Sequence, residues 1–318
     1  MGDKISIVVP CHNEQECAPL LLQEVYRATA EISAILEVIF VDDGSTDGTL
    51  GVLRGLAEDN PSVFYIALSR NFGKEAAVLA GLEAATGDYI VVMDADLQHP
   101  PELLPQMYEG IVIEGFDSVA AKRVDRSGEP PIRSFLASRF YRLINKISDT
   151  KMVDGATDYR MMTRQMVEAV LSLKEYNRFS KGLFSWVGFN TKWLEFKNTL
   201  RAAGVTKWNF WQLFAYSLDG IVSFSVKPLA ISSFFGILFC LAAMVGTVFI
   251  VVRWFAFGDP VQGWASTVCI ILFVGGIQLF STGILGQYLA KSYLEAKGRP
   301  VYIIKEQKIN DRASLRDF

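Results

Sequence analysis

From Lys4 to about Ala121 the apolar positions switch between two periods. The runs "ISIVV", "EVIFV", "VFYIAL" and "YIVVM" are short and rich in β-branched and aromatic residues, whereas the segments from about Glu16, Asp47 and Lys74 repeat their apolar residues at helical spacing. Strands apolar on both faces and alternating with helices predict βαβ units, and hence an α/β fold with a mostly parallel, Rossmann-type sheet covered on both sides. Ligands of such sheets sit at the carboxyl ends of the strands. The polar clusters fall there: "PCHNE", "DDGSTDGT", "SRNFGKE" and "DADLQ" each follow one of the four runs.

Beyond Asp125 the pattern loosens. A Pro-containing loop, "SGEPP", leads into a basic amphipathic helix expected over 132–149, followed by "VDGATDYRMM". The aromatic segment 207–224, "KWNFWQLFAYSLDGIVSF", suits a helix lying in a membrane interface, or one packed on the preceding domain. Then come two stretches without a charged residue, Leu229 to Val252 and Ala265 to Ala290, each long enough to cross about 30 Å of hydrocarbon. They predict two transmembrane helices; the competing reading, a buried core hairpin, requires unusually long charge-free core helices. The expected division is therefore a domain over 1–225, a two-helix anchor over 226–291 and a tail over 292–318.

Composition supports that division. Hydrophobic residues make up 51% of 318 residues, and the excess is concentrated in the two stretches. Lys192, Lys197, Arg201, Lys207 and Lys227 precede the first; Lys291, Lys297, Arg299, Lys305 and Lys308 follow the second. The connection "WFAFGDPVQGW" carries no Lys or Arg, and Arg253 at its edge can snorkel. The positive-inside rule then puts both termini and the N-terminal domain on the cytoplasmic side of the plasma (inner) membrane. The opening "MGDKISIVVP" reads as a strand rather than a cleavable leader. A net charge of −3 argues against a nucleic-acid partner, and Cys11, Cys17, Cys240 and Cys269 show no metal-ligand spacing.

Three features bear on chemistry. In "DADLQ", extended geometry turns Asp94, Asp96 and Gln98 to one side, and two carboxylates with an amide oxygen suit Mg²⁺ or Mn²⁺; a solvated acidic turn is the plain alternative. "VDDGSTDGT" lacks the closing Glu of a calcium loop, so Asp42 and Asp43 are read as acceptors for a base or ribose, with Ser45 to Asp47 capping the next helix. No Gly-rich phosphate loop occurs, so a bound nucleotide would have its diphosphate held by metal and by Arg or Lys. His99 is read as a residue leading into a helix rather than as a base.

Taken in order, "VVPCHNE", "VDDGSTDGT", "SRNFGKEAAVLAGLEAA", "MDADLQHPPE" and "DYRMMTR", followed by two spans, resemble the family 2 glycosyltransferases that load sugars onto polyprenyl phosphate. The resemblance is nearest to bactoprenol glucosyltransferases and extends to dolichol-phosphate mannose synthases. It implies a GT-A-like domain, a nucleotide-sugar donor, a polyprenyl phosphate acceptor in the membrane and inverting transfer, and leaves room for a homo-oligomer. UDP-glucose is the donor it favours, GDP-mannose the alternative; a non-catalytic nucleotide-sugar-binding scaffold is the reading from another class. By position, the resemblance assigns Pro10, His12, Glu14, Val41, Asp43 and Ala95 to the donor and Asp94, Asp96 and Gln98 to the metal. It assigns Arg123, Arg201 and Lys207 to phosphates. Asp158 and Arg160 match a catalytic Asp and Arg, with Thr157 where a Gly is usual.

Overall fold

The structure, a computed structural model, describes residues 2–124, 145, 153, 155–196, 225, 227–257 and 263–309. The helices expected over 132–149 and 207–224, together with Arg201 and Lys207, lie outside them.

The four apolar runs form β1 (Lys4–Cys11), β2 (Ile35–Asp42), β3 (Val63–Leu68) and β4 (Tyr89–Val92). Helices α1 (Cys17–Thr29), α2 (Thr49–Asp59) and α3 (Lys74–Ala84) connect them. After α4 (Leu104–Val112) come β5 (Ser118–Arg123), β6 (Ala156–Thr163), α5 (Arg164–Ser172), α6 (Ser180–Trp186) and β7 (Thr191–Phe196). Two long helices, α7 (Lys227–Phe257) and α8 (Trp264–Ala296), precede β8 (Ile304–Lys308).

One eight-stranded sheet runs β7-β5-β6-β4-β1-β2-β3-β8. The β1/β2, β1/β4, β2/β3 and β5/β7 pairs are parallel, as βαβ patterning demands. The β4/β6, β5/β6 and β3/β8 pairs are antiparallel, so the sheet is mixed rather than mostly parallel. The difference has a physical source: β6 enters between β4 and β5, and β8 reaches β3 from the far end of the chain. Neither pairing leaves a local trace in the hydrophobic pattern. The segment expected as a tail thus supplies an edge strand, held by Arg54, whose guanidinium makes two hydrogen bonds to the Glu306 carboxylate (2.8 and 2.7 Å).

Side-chain alternation divides the core into two layers. Ile5, Ile7 and Val9 with Val38 and Phe40 face α1, α2 and α4, whereas Val8, Ile39, Val41, Ile90 and Val92 face α3, α5 and α6. Helix α3 is buried almost all round, which its alanine-rich sequence permits. Its Gly81 lies so close to the sheet that a Cβ there would come within 2.2 Å of Val8 Cγ1. This tight packing holds the C-terminal part of α3 against Val8 of β1 and Val41 of β2.

Helices α7 and α8 are 31 and 33 residues long and contain the two charge-free stretches. Among the described residues, no helix is long and apolar enough to cross a membrane. Both helices nonetheless leave large apolar side chains uncovered, including Phe234, Phe249, Leu279 and Phe280. At the lower end of α8 the Tyr288 hydroxyl donates to the Ser225 carbonyl, and Glu295 accepts from the backbone N–H of Tyr176 and of Asn177.

Candidate active site

Four loops meet at the carboxyl ends of β1, β2, β3 and β4. The first two are joined side chain to backbone. Asn13, in the left-handed region at φ 59°, accepts from the Thr46 N–H, while its own N–H donates to Ser45 Oγ. The Glu14 N–H donates to Thr49 Oγ1, and the Gly48 N–H to Gln15 Oε1. The expected cap by Ser45 to Asp47 is not formed: Gly48 is the N-cap of α2 without a side-chain bond, Ser45 and Thr46 pair with Asn13, and only Asp47 reaches the helix, accepting from the Thr49 N–H at 3.0 Å.

The third loop hangs on Asp43. Its two carboxylate oxygens accept one each from the N–H of Phe72 (2.7 Å) and Gly73 (2.9 Å). Burial pushes its carboxyl upward, held back by those two amides. Gly44 turns under the same loop at φ +61°, where a Cβ would lie 2.4 Å from the Arg70 carbonyl carbon. His12 Nδ1 donates to the Asp43 carbonyl at 2.9 Å, which leaves Nε2 as the acceptor for the Asn71 amide at 3.3 Å.

Between these loops lies a cleft of about 1020 Å³. Its lining includes Pro10, His12, Glu14, Asp43, Asp94, Ala95, Asp96 and Asp158 from the sequence expectations. Gln98 does not line it; its N–H donates to Asp96 Oδ1 at 3.1 Å, across Leu97, which adopts φ 58°. Val41 points into the core beside Gly81, and Asp42 instead accepts from the Ser45 N–H. Arg123 ends β5 and is likewise not among the lining residues. Among the described residues, no group of three or more His, Cys, Asp or Glu is placed to hold a metal ion.

The centre of the cleft is a residue that sequence reasoning passed over. Lys74, the first residue of α3, places Nζ 2.6 Å from Asp94 Oδ1 and 2.7 Å from Asp158 Oδ2. Burial works to lower the lysine and raise the acids, but their mutual attraction wins. Lys74 is held well above its usual range, and Asp94 and Asp158 below theirs. Asp158 Oδ1 is buried without a hydrogen-bond partner, so one acceptor of this carboxylate remains available. Only the fold makes this constellation, since it joins the head of one helix to the loop after β4 and to β6. The available sequence signal was that "SRNFGKE" follows a strand, in the same row as "DADLQ".

Around that centre the neighbours are specialised. Arg160, two residues from Asp158 on β6, is buried and lies 4.3 Å over the Phe184 ring and 5.9 Å from that of Trp193. Burial lowers its guanidinium to about 10, against the pull of Asp158. It does not line the cleft, and its positive charge acts on Asp158 through space. His99 is buried and stacked on Tyr159 at 5.2 Å, and its Nδ1 accepts from the Asp94 N–H at 3.3 Å, which positions the acid. Glu75 accepts from the Ser180 N–H at 2.9 Å and from its hydroxyl; burial and Asp158 push it up to about 7. Arg178 and Lys181 line the opposite wall with Tyr176 and Asn177.

A cleft with acids at its floor and cations on its walls suits a polyanion accompanied by a metal ion. Asp94 and Asp96 offer hard oxygen donors one residue apart, fitting Mg²⁺ or Mn²⁺ with further ligands from the substrate. Residues 6–171 match the sequence model of the family described as Glycosyl transferase family 2. Over 306 residues the chain is 41% identical to the bactoprenol glucosyl transferase of Shigella phage SfX, covering 96% of this chain and 100% of that protein. Over 305 residues it is 41% identical to the prophage bactoprenol glucosyl transferase homolog of Escherichia coli (strain K12), covering 96% and 99%.

Proposed function

The chain belongs to glycosyl transferase family 2, and from that premise we propose that it transfers glucose from UDP-glucose to the phosphate of a polyprenyl lipid. The observation that carries this reading is the likeness to bactoprenol glucosyl transferases along nearly the whole chain, including the helices beyond the residues that the family model matches. The cleft chemistry supports it independently.

In this reading the donor enters at the ends of β1 and β2, with its base beside Pro10 and His12 and its diphosphate over Asp94 and Asp96. Asp94 and Asp96 would hold a divalent cation, which when bound would supply Lewis-acid charge for the departing diphosphate. Asp43 keeps the loop 70–73 closed beneath the donor, and Lys74 adds a positive charge at the head of α3. The acceptor phosphate needs little help from a base, because its second pKa is about 6 and it is mostly dianionic near neutrality. The difficulty is bringing two anions together. Arg178 and Lys181 on the cleft wall reduce that repulsion, with Arg123, Arg201 and Lys207 assigned the same task. Asp158, on β6 and paired with Lys74, faces positive charge growing on the sugar as its C1–O bond to the diphosphate breaks. The new C1–O bond forms to the acceptor phosphate from the opposite side, inverting the anomeric carbon.

The reading also places α7 and α8 in the membrane, on the strength of their charge-free sequences and uncovered apolar side chains. The cleft would then open at the cytoplasmic surface, where a lipid-borne phosphate is presented pre-oriented.

The decisive test is UDP release by the purified protein in detergent, with UDP-glucose, with and without polyprenyl phosphate, and after chelation of divalent ions. Lipid-dependent and metal-dependent release that Asp96→Ala abolishes is expected. Release indifferent to lipid would refute the acceptor, and no UDP release beside lipid-dependent GDP release in a parallel reaction with GDP-mannose would refute the donor.

A further inference from the structure

Asp94 carries two assignments at once. It is one of the two acids for the divalent cation in the reading above, and the Oδ1 atom it would offer already holds the Lys74 ammonium at 2.6 Å. The same ammonium holds Asp158 at 2.7 Å, so a single positive charge serves one carboxylate from the loop after β4 and one from β6. His99, 3.9 Å from Asp94 Oδ2, accepts the Asp94 N–H through Nδ1 and so carries its proton on Nε2; it brings no positive charge. Glu75 adds negative charge beside Asp158, and Lys181 adds positive charge from α6.

A divalent ion and an ammonium competing for one carboxylate oxygen repel each other at short range. Resting on the proposed function, we infer that Lys74 is a built-in counter-cation. It holds Asp94 and Asp158 together in the donor-free enzyme and yields Asp94 to the metal only when a nucleoside diphosphate brings oxygens to which the ammonium can transfer. Lys74 is thus a positioning residue that makes metal and donor bind together and keeps the empty cleft from holding the ion tightly. Its place at the first position of α3 suits the exchange: the side chain lines the cleft and is 42% exposed, so the ammonium can swing while Asp43 keeps the preceding loop fixed.

Mn²⁺ binding to the full-length protein in detergent, followed by electron paramagnetic resonance without lipid or sugar, tests this without any turnover. In the wild type, adding UDP should tighten Mn²⁺ binding about tenfold or more. Without UDP, Lys74→Gln should bind Mn²⁺ about tenfold tighter than the wild type, while Lys74→Arg, which keeps the charge, should resemble the wild type. Lys74→Met keeps the apolar stem and replaces Lys74→Gln if that variant does not fold. Equal Mn²⁺ affinity in wild type and charge-free variants overturns the inference, as does wild-type affinity that ignores UDP. Failure of the proposed function looks different: this binding pattern would persist while lipid-dependent UDP release is absent.

Discussion

Replacing Asp43 by Asn separates two jobs that one carboxylate could hold. Resemblance gives this residue to the donor, whereas the structure gives each of its oxygens a backbone N–H, from Phe72 at 2.7 Å and Gly73 at 2.9 Å. Asn presents one acceptor oxygen and one NH₂ group, so one amide keeps its bond and the other faces a donor. Losing a hydrogen bond to a charged acceptor and stranding a partly buried N–H together cost about 3 kcal/mol. At roughly 2–4 °C per kcal/mol for a domain of this size, the Tm should fall by about 6–12 °C. The loop 70–73 would loosen with it, carrying Lys74 away from Asp94 and Asp158, so kcat should fall along with a rise in KM for the donor. Thermal unfolding in detergent and steady-state kinetics read both effects. The reasoning fails if Asp43→Asn melts within a degree or so of the wild type yet loses donor affinity, for then the carboxylate serves the ribose and the loop does not depend on it.

Two further outcomes are expected. Glu75 ordinarily titrates at 4.5 and is pushed up to about 7 in the fold, so its contribution to stability is full below 4.5 and lost as pH rises through 7. The loss reaches up to about 3 kcal/mol, and Glu75→Gln should abolish it: melting curves of the two proteins from pH 5 to 8 should diverge, and parallel curves would contradict the assignment. Asp158→Asn should lower turnover on the order of a hundredfold or more while leaving UDP-glucose binding in place, measured by calorimetry beside the release assay. Near-normal turnover would remove Asp158 from the reaction.

The sequence carried the parts of the fold that depend on local pattern. The strands β1 to β4 read as short apolar runs and the helices α1 to α3 as the longer segments between them, and strand-end placement alone pointed to Asp43, Asp94 and Asp96. It did not reveal β6 as a strand, because "TDYRMM" places polar Asp158 and Arg160 on a face where a buried strand usually shows apolar residues. Asp158 lines the cleft and Arg160 is buried over Phe184, so neither position shows the apolar residue that a pattern reading looks for. Lys74 was silent for another reason. A lysine opening a helix is commonplace, and its meaning depends on β4 and β6 lying side by side, a pairing that spans residues far apart in the chain. Val41 shows the reverse: a strand-end position expected at the donor whose side chain is committed to packing on α3.

The edge strand β8 also constrains how the molecule can be made. Its contact to Arg54 joins residues 252 apart, so on a ribosome the edge of β3 stays uncapped until almost the whole chain has emerged. Unpaired strand edges invite pairing with other chains, and distant contacts close slowly. The interval between finishing β3 and supplying β8 spans the rest of the sheet and, last before β8, both long helices. If these enter the bilayer as they emerge, β8 returns to a domain already held at the surface, and the search that closes the sheet becomes a tethered one. Insertion of the hairpin and completion of the sheet then become successive stages of one biosynthetic event, with the last strand acting as the latch.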